Sequence, residues 1–293
     1  MSTVPVPQAI DAFLHAKEVA VQVEQIRPAT LTKIRELSEM VREGLPRDVP
    51  VEQLKTSDFR ELIVHASRRW GPIRLKHLRS FVRTWIRWCH EIEGIIDVPP
   101  RLGDMPSKPV RITPKPLYTP AEFRHLWERL DAFGRSVMGL GLFAGCNGSD
   151  LEYVSPESFD GQWFVQPRQK TGRPRRAALP SFVIAEIKEA GLPLKTKRGG
   201  PTNARRISWY WRNVSTKHLG GPRPYTSWRT TLRTVAGQVD GEALEMAVMG
   251  HAGETASRIT GRAAVGLTHY VRADSISDDR LRAIRKALLD WLA

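Results

Sequence analysis

Across residues 72–93, Leu75, Leu78, Val82, Trp85, Cys89 and Ile92 recur at steps of three and four, the spacing of one face of an α-helix. Lys76, Arg79, Arg83, Arg87 and His90 form a second stripe at the same steps, with no Asp or Glu between Arg74 and His90. A solvated helix face ordinarily mixes charge signs. A row of one sign suits a row of phosphates, with plain solvated surface as the alternative. Earlier helical patterns cover residues 7–25 (Ile10, Phe13, Leu14, Val21), residues 30–44 with Thr30 as N-cap, and one or two helices in 51–70.

Residues 98–117 break the pattern. Pro99, Pro100, Pro106, Pro109, Pro114 and Pro116, with Lys and Arg between them, forbid a regular helix and predict a semi-extended basic tether. A second helical run opens at Thr119-Pro120-Ala121-Glu122, an N-cap, a first-turn proline and a capping-box Glu. An apolar stretch follows at 134–142. Alternation then predicts two short strands, 163–169 and 175–179, joined by residues 170–174. Further helices are expected at 181–190 (cap Ser181, stop Gly191), 204–219, 225–239 and 241–250. The last, 277–292, carries Leu281, Ile284, Leu288 and Trp291 on one face. Trp209, Tyr210 and Trp211 read as core, with base stacking as the alternative. The fold class is mainly α with a small β-sheet: a helical domain at 1–97, a linker at 98–117 and a second domain at 118–293.

Composition narrows the class. At 293 residues the chain has room for about two cores. No apolar run reaches the ~18–20 residues of a membrane span, and the first residues lack the blocks of a secretion signal. Cys89 and Cys146 have no metal-ligand spacing and read as buried, reduced, cytoplasmic thiols. The formal charge is +14, unevenly spread: residues 1–100 carry 15 Lys and Arg against 13 Asp and Glu, residues 101–293 carry 30 against 18. Such an excess favours a nucleic-acid partner, a basic solvated surface being the alternative. Arg168, Lys170, Arg173, Arg175 and Arg176 crowd one hairpin.

The chemistry concentrates near the C-terminus, in Tyr225-Thr226-Ser227-Trp228-Arg229, Val248-Met249-Gly250-His251 and Leu267-Thr268-His269-Tyr270. A tyrosine hydroxyl is a poor nucleophile at neutral pH. It becomes useful where cations and donors hold the phosphate it attacks. Arg229 is a rigid fork that can grip two phosphate oxygens, and His251 can donate to a third or manage a proton. A half-buried packing tyrosine is the alternative for Tyr270, and a solvated hairpin tip for Lys170.

These segments resemble the catalytic half of tyrosine recombinases, or phage-type integrases, from about Tyr118 onward, with a weaker match over the N-terminal third. The resemblance implies a helical core-binding (SAM-like) domain at 1–97 that clasps DNA opposite the catalytic domain at 118–293. It assigns Tyr270 as nucleophile, Arg229 and His251 as phosphate-binding partners, and Lys170 as the group that protonates the departing 5′ oxygen. Two family positions are substituted. In the turn Gly145-Cys146-Asn147-Gly148-Ser149-Asp150-Leu151, Asn147 stands where the family has its first arginine, and Thr226 stands where it has a histidine. The step from His251 to Tyr270, 19 residues, is longer than usual. Arg168, Arg173, Arg258 or Arg262 are candidates to replace the missing charge. Lys76, Arg79, Arg83, Arg87, Arg168 and Arg173 are the expected DNA contacts. The implied reaction uses no metal and no cofactor, takes double-stranded DNA, and employs four protomers on two duplexes, with no membrane involved. A DNA-binding relative that no longer cuts, and a type IB topoisomerase-like nicking enzyme, are the competing readings.

Overall fold

The computed structural model describes residues 3–103, 105–106, 109, 114–168, 172–195, 199–250 and 276–293, without the side chains of Glu242, Glu245 and Met246. The chain divides into two compact units, Met1–Thr113 and Pro114–Ala293.

The first unit is helical: α1 (Val6–Gln22), α2 (Pro28–Gly44), a 3-10 turn (Val51–Gln53), α3 (Thr56–Ser67) and α4 (Pro72–Glu91). Prolines occupy the first turns of α1, α2 and α4, where a missing N–H costs nothing. In α2 this places the start at Pro28, so Thr30 lies inside the first turn and is not the cap. The apolar face of α4 is buried as its spacing predicts, and Phe13 of α1 meets Phe81 and Trp88 edge-on at 5.8 and 5.2 Å. Ile92 falls just past the helix end and is exposed. Leu102 and Met105 are buried in this same core. The first unit therefore extends past the expected boundary at residue 97 into the proline-rich stretch. Prolines forbid helix, but they do not prevent apolar neighbours from docking.

The second unit runs α5 (Pro120–Arg129), α6 (Ala132–Phe143), the single turn α7 (Gly148–Leu151), β1 (Phe159–Asp160), β2 (Trp163–Val165), β3 (Arg176–Ala178), α8 (Ser181–Ala190), α9 (Ala204–Leu219), α10 (Ser227–Ala243), a π turn (Leu244–Val248) and α11 (Asp278–Leu292). The Thr119–Glu122 capping box closes as the sequence predicts, with Glu122 N donating to Thr119 Oγ1 at 3.2 Å and Thr119 N to Glu122 Oε2 at 2.9 Å. Ser181 is not a cap: α8 starts on it, and Pro180 holds the cap position. The sheet is an antiparallel meander in the order β1-β2-β3, with Phe159 opposite Phe164 and Phe164 opposite Ala177. Strand β1 was not legible, because two residues carry no alternation.

Aromatic packing builds the core. Tyr118 stacks on Trp228 at 3.6 Å, and its hydroxyl accepts from Trp211 Nε1 at 2.6 Å. Helices α6 and α8 touch closely enough that a Cβ on Gly139 would lie 2.6 Å from Val183. Trp211 is buried as expected, whereas Trp209 is 68% exposed, correcting the core assignment for that residue. Helix α10 breaks at Asp240 (φ −154°, ψ 85°), where the sequence predicts a helix boundary. Arg280 clamps that break, donating Nε and Nη2 to the two oxygens of Asp240 at 2.6 and 2.8 Å. Helix α11 is capped by Ser277 and packs Leu281, Ile284 and Leu288 into the core of its own unit.

Candidate active site

The turn after α6 starts the site. Gly145 sits at φ 61°, a left-handed conformation that glycine adopts without strain. Asn147 N donates to Asp150 Oδ2 at 2.7 Å. The same oxygen accepts Arg175 Nη1 at 3.0 Å. Arg175 is only 1% exposed, and it also donates Nη2 to Gln166 Oε1 (2.8 Å) and Nε to Gln166 O (3.4 Å). It is thus an internal strut between the sheet and the α7 turn, not one more surface cation of the hairpin. A signal for this was present: Phe164 and Gln166, like Arg175 and Ala177, stand at alternate positions, and all four are buried.

Arg229 lies in the first turn of α10 and is 8% exposed. Its Nη1 donates to Gly145 O and its Nη2 to Met249 O at 3.2 Å. Burial, followed by the neighbouring charges of Arg168 and Arg175, lowers its pKa to about 10, which leaves it a cation at neutral pH. Arg168 Nη1 donates to the next carbonyl, Gly250 O, at 3.5 Å. Gly250 has φ 59°, and a Cβ there would lie 2.8 Å from Arg175 Cγ and 3.4 Å from Arg168 Cβ. Three guanidiniums therefore gather where the chain reaches position 250, immediately before His251. Cys146 is buried among them, and burial pushes its thiol up to about 12, as it does for Cys89. Both cysteines are free and buried.

The two substituted positions share a different wall. Asn147 and Thr226, with Ser149, Ser208, Arg212 and Arg223, line a cleft of about 770 Å³. The Thr226 hydroxyl accepts Lys115 Nζ at 3.0 Å.

Lys170, His251 and Tyr270, and with them Arg258 and Arg262, lie outside the described residues. Arg173 is half-buried at the hairpin, with its carbonyl accepting Arg168 N at 2.6 Å. On α4, Lys76, Arg83 and Arg87 are exposed and Arg79 is half-buried. Arg83 reaches Leu102 O at 3.5 Å. Elsewhere in that unit Arg35, Arg42, Arg69 and Arg74 each pair with a carboxylate. Among the described residues, no carboxylate pairs with the α4 stripe. Among the same residues, no group of His, Cys, Asp or Glu could hold a metal ion, and no helix is long and apolar enough to cross a membrane.

A helical unit followed by a mostly helical unit with a three-stranded meander and an arginine at the head of α10 is the fold of the tyrosine-recombinase integrases. Among solved structures the chain matches a lambda integrase dimer bound to a COC′ core site (TM-score 0.70, 17% identity, covering 92% of this chain and 81% of that one). It also matches a lambda integrase tetramer bound to a Holliday junction (0.71, 17%, 86% and 79%). A third match is the Tn1549 transposon integrase in complex with circular intermediate DNA (0.66, 13%, 93% and 99%). No family model matches the chain, and no curated protein matches its sequence. At these identities the likeness is one of fold.

Proposed function

We propose that the chain is a site-specific DNA recombinase of the integrase kind, cutting and rejoining double-stranded DNA through a 3′-phosphotyrosyl intermediate on Tyr270. The observation that carries this is the placement of Arg229. In a fold shared with DNA-bound integrases, it is a buried, charged guanidinium fixed between the Gly145 turn and Met249, two residues before His251. In this reading the Tyr270 oxygen attacks a backbone phosphorus as the bond to the 5′ oxygen breaks. Lys170 protonates that oxygen, while Arg229 and His251 hold the phosphate oxygens. The freed 5′ hydroxyl of the partner strand then attacks the phosphotyrosyl bond, releases Tyr270 and completes the exchange. Bond energy is conserved in the protein–DNA link, so no nucleotide is consumed. In this reading the first unit, which runs past residue 97 to include Leu102 and Met105, is the DNA clamp, and residues 118–293 are the catalytic domain. Four protomers acting on two sites in the cytoplasm are the working assembly.

Asn147 and Thr226 favour a second reading, a DNA-binding relative that no longer cuts. A nicked suicide duplex, selected from a randomised library by the chain's own binding, separates the two. A covalent adduct that disappears in Tyr270→Phe supports the recombinase. Site-specific binding without adduct supports the accessory protein. Relaxation of a supercoiled plasmid lacking the selected site would instead indicate a topoisomerase-like enzyme.

A further inference from the structure

Helix α9 turns Ile207, Trp211, Val214 and Ser215 into the core. Trp209 stands two residues from Trp211, about 200° around the helix, and 68% of it is exposed. Its neighbours Tyr210 and Trp211 pack against other rings, whereas among the described residues Trp209 meets none. Tryptophan is on average strongly withdrawn from water, so a ring left out in this way marks a surface that something else covers. Arg205, four positions before it, and Arg212, three after, share its face. Both are exposed, and among the described residues neither guanidinium has a hydrogen-bond or ion-pair partner. Arg206, by contrast, donates Nη1 to Pro201 O at 2.6 Å. Ser208 and Arg212 also line the cleft that holds Asn147 and Thr226, so this face of α9 is continuous with that cleft.

Charge selects what covers the ring. Residues 190–239 contain ten Lys and Arg and no Asp or Glu. A second copy of the chain would bring a further +14 against them. A polyanion engages the two arginines and covers the ring at once. A helix is about 10–12 Å across with its side chains and fits the major groove of B-DNA, about 12 Å wide. The apolar group that base edges present there is the thymine methyl. We propose that α9 presents Trp209 to the major groove of the target site, where the ring packs on a thymine methyl and acts as a specificity-determining residue, while Arg205 and Arg212 take flanking phosphates. This inference rests on the DNA-binding part of the reading above, not on whether the chain cuts. The base contact discriminates sequence, and the phosphate contacts only position the helix.

The test selects a duplex from a randomised library with the full wild-type chain and again with Trp209→Ala, and measures affinities by fluorescence anisotropy at fixed salt. Trp209→Ala is expected to bind the wild-type site about tenfold more weakly, a usual cost of one lost base contact, with far less change on an unrelated duplex. Its own selection is expected to lose preference at one or two positions. Replacing the site's thymines one at a time by uracil removes only the methyl. At those positions uracil is expected to weaken the wild-type chain and leave Trp209→Ala indifferent. Trp209→Phe keeps an apolar ring, is expected to retain most of the discrimination, and guards against a folding defect in the alanine variant. Arg205→Gln and Arg212→Gln are expected to weaken binding to all duplexes alike and to flatten the log–log salt slope by about 0.9 each. If Trp209→Ala selects the same site with the same affinity, or no uracil distinguishes the two chains, this assignment is wrong while the recombinase reading stands. Unaltered salt slopes in both arginine variants take α9 off the DNA and overturn it as well. A changed oligomeric state in Trp209→Ala with base preference intact overturns it too and makes the ring a contact between copies. If the wild-type chain selects no site, the parent reading fails and takes this one with it.

Discussion

Removing the Asp150 carboxylate should destabilise the second unit by about 4 kcal/mol. Asp150→Ala deletes the oxygen that accepts both Arg175 Nη1 at 3.0 Å and Asn147 N at 2.7 Å. Both side chains of the ion pair are nearly solvent-free, so Arg175 would be left charged among neutral acceptors. Losing one partner of a buried pair costs about 3–5 kcal/mol, and the orphaned Asn147 N–H adds up to about 1 kcal/mol, as at other helix starts. Relaxation of Arg175 toward Gln166 returns part of this. Arg175→Met should cost a similar amount, since it strands the carboxylate. The double variant Asp150→Ala/Arg175→Met should cost less than the two singles together, with a coupling of about 2–3 kcal/mol. Urea unfolding of the full chain, followed by tryptophan fluorescence, measures all three. Buried Trp211 and Trp228 report on this unit. A single-variant cost below about 1 kcal/mol, or additive singles, would show that the pair is not the strut described.

Gly250→Ala should lower stability by at least the ~1–2 kcal/mol of a left-handed alanine and reduce adduct formation, because its Cβ presses on Arg175; an unchanged melting temperature and rate would refute this. Neutralising Lys76, Arg79, Arg83 and Arg87 to glutamine should flatten the log–log salt dependence of DNA binding by about 0.9 for each phosphate no longer neutralised, and an unaltered slope places the stripe off the DNA. Arg280 hydrogen-bonds Asp240 and holds its carboxyl below the ordinary 3.8. The stability this gives is fully present above 3.8 and is lost as pH falls through the depressed folded value. An acid titration of unfolding free energy should therefore show a smaller decline below that pH in Arg280→Gln than in the parent chain.

Much of the fold was legible because its signals are local. The α4 stripe, the Thr119–Glu122 box and the Gly191 stop depend on neighbours within a few helical turns, and the structure has all three. Thr30 and Ser181 failed as caps because a proline at or near the cap set the helix start. Trp209 failed because a helix carries three successive aromatics on different faces, and only tertiary packing decides which face is wet. Arg229 was singled out by the resemblance alone, and its seat against Gly145 O and Met249 O joins parts of the chain that no local pattern connects. Strand alternation could have shown Arg175 to be buried, but its partner Asp150 lies 25 positions away and was not readable. The proximity of Arg168 to Gly250 spans 82 positions and has the same origin.

The clamp between Asp240 and Arg280 has an evolutionary corollary. Gly250 and Ile276 are both buried, and they mark the two ends of the stretch that holds His251 and Tyr270. Together with the Arg280–Asp240 pair, these burials fix where the chain leaves and re-enters the core of the second unit, whatever the length of sequence between them. Changes of length between positions 250 and 276 therefore leave the Arg175–Asp150–Asn147 strut intact, because all of its partners lie outside that stretch.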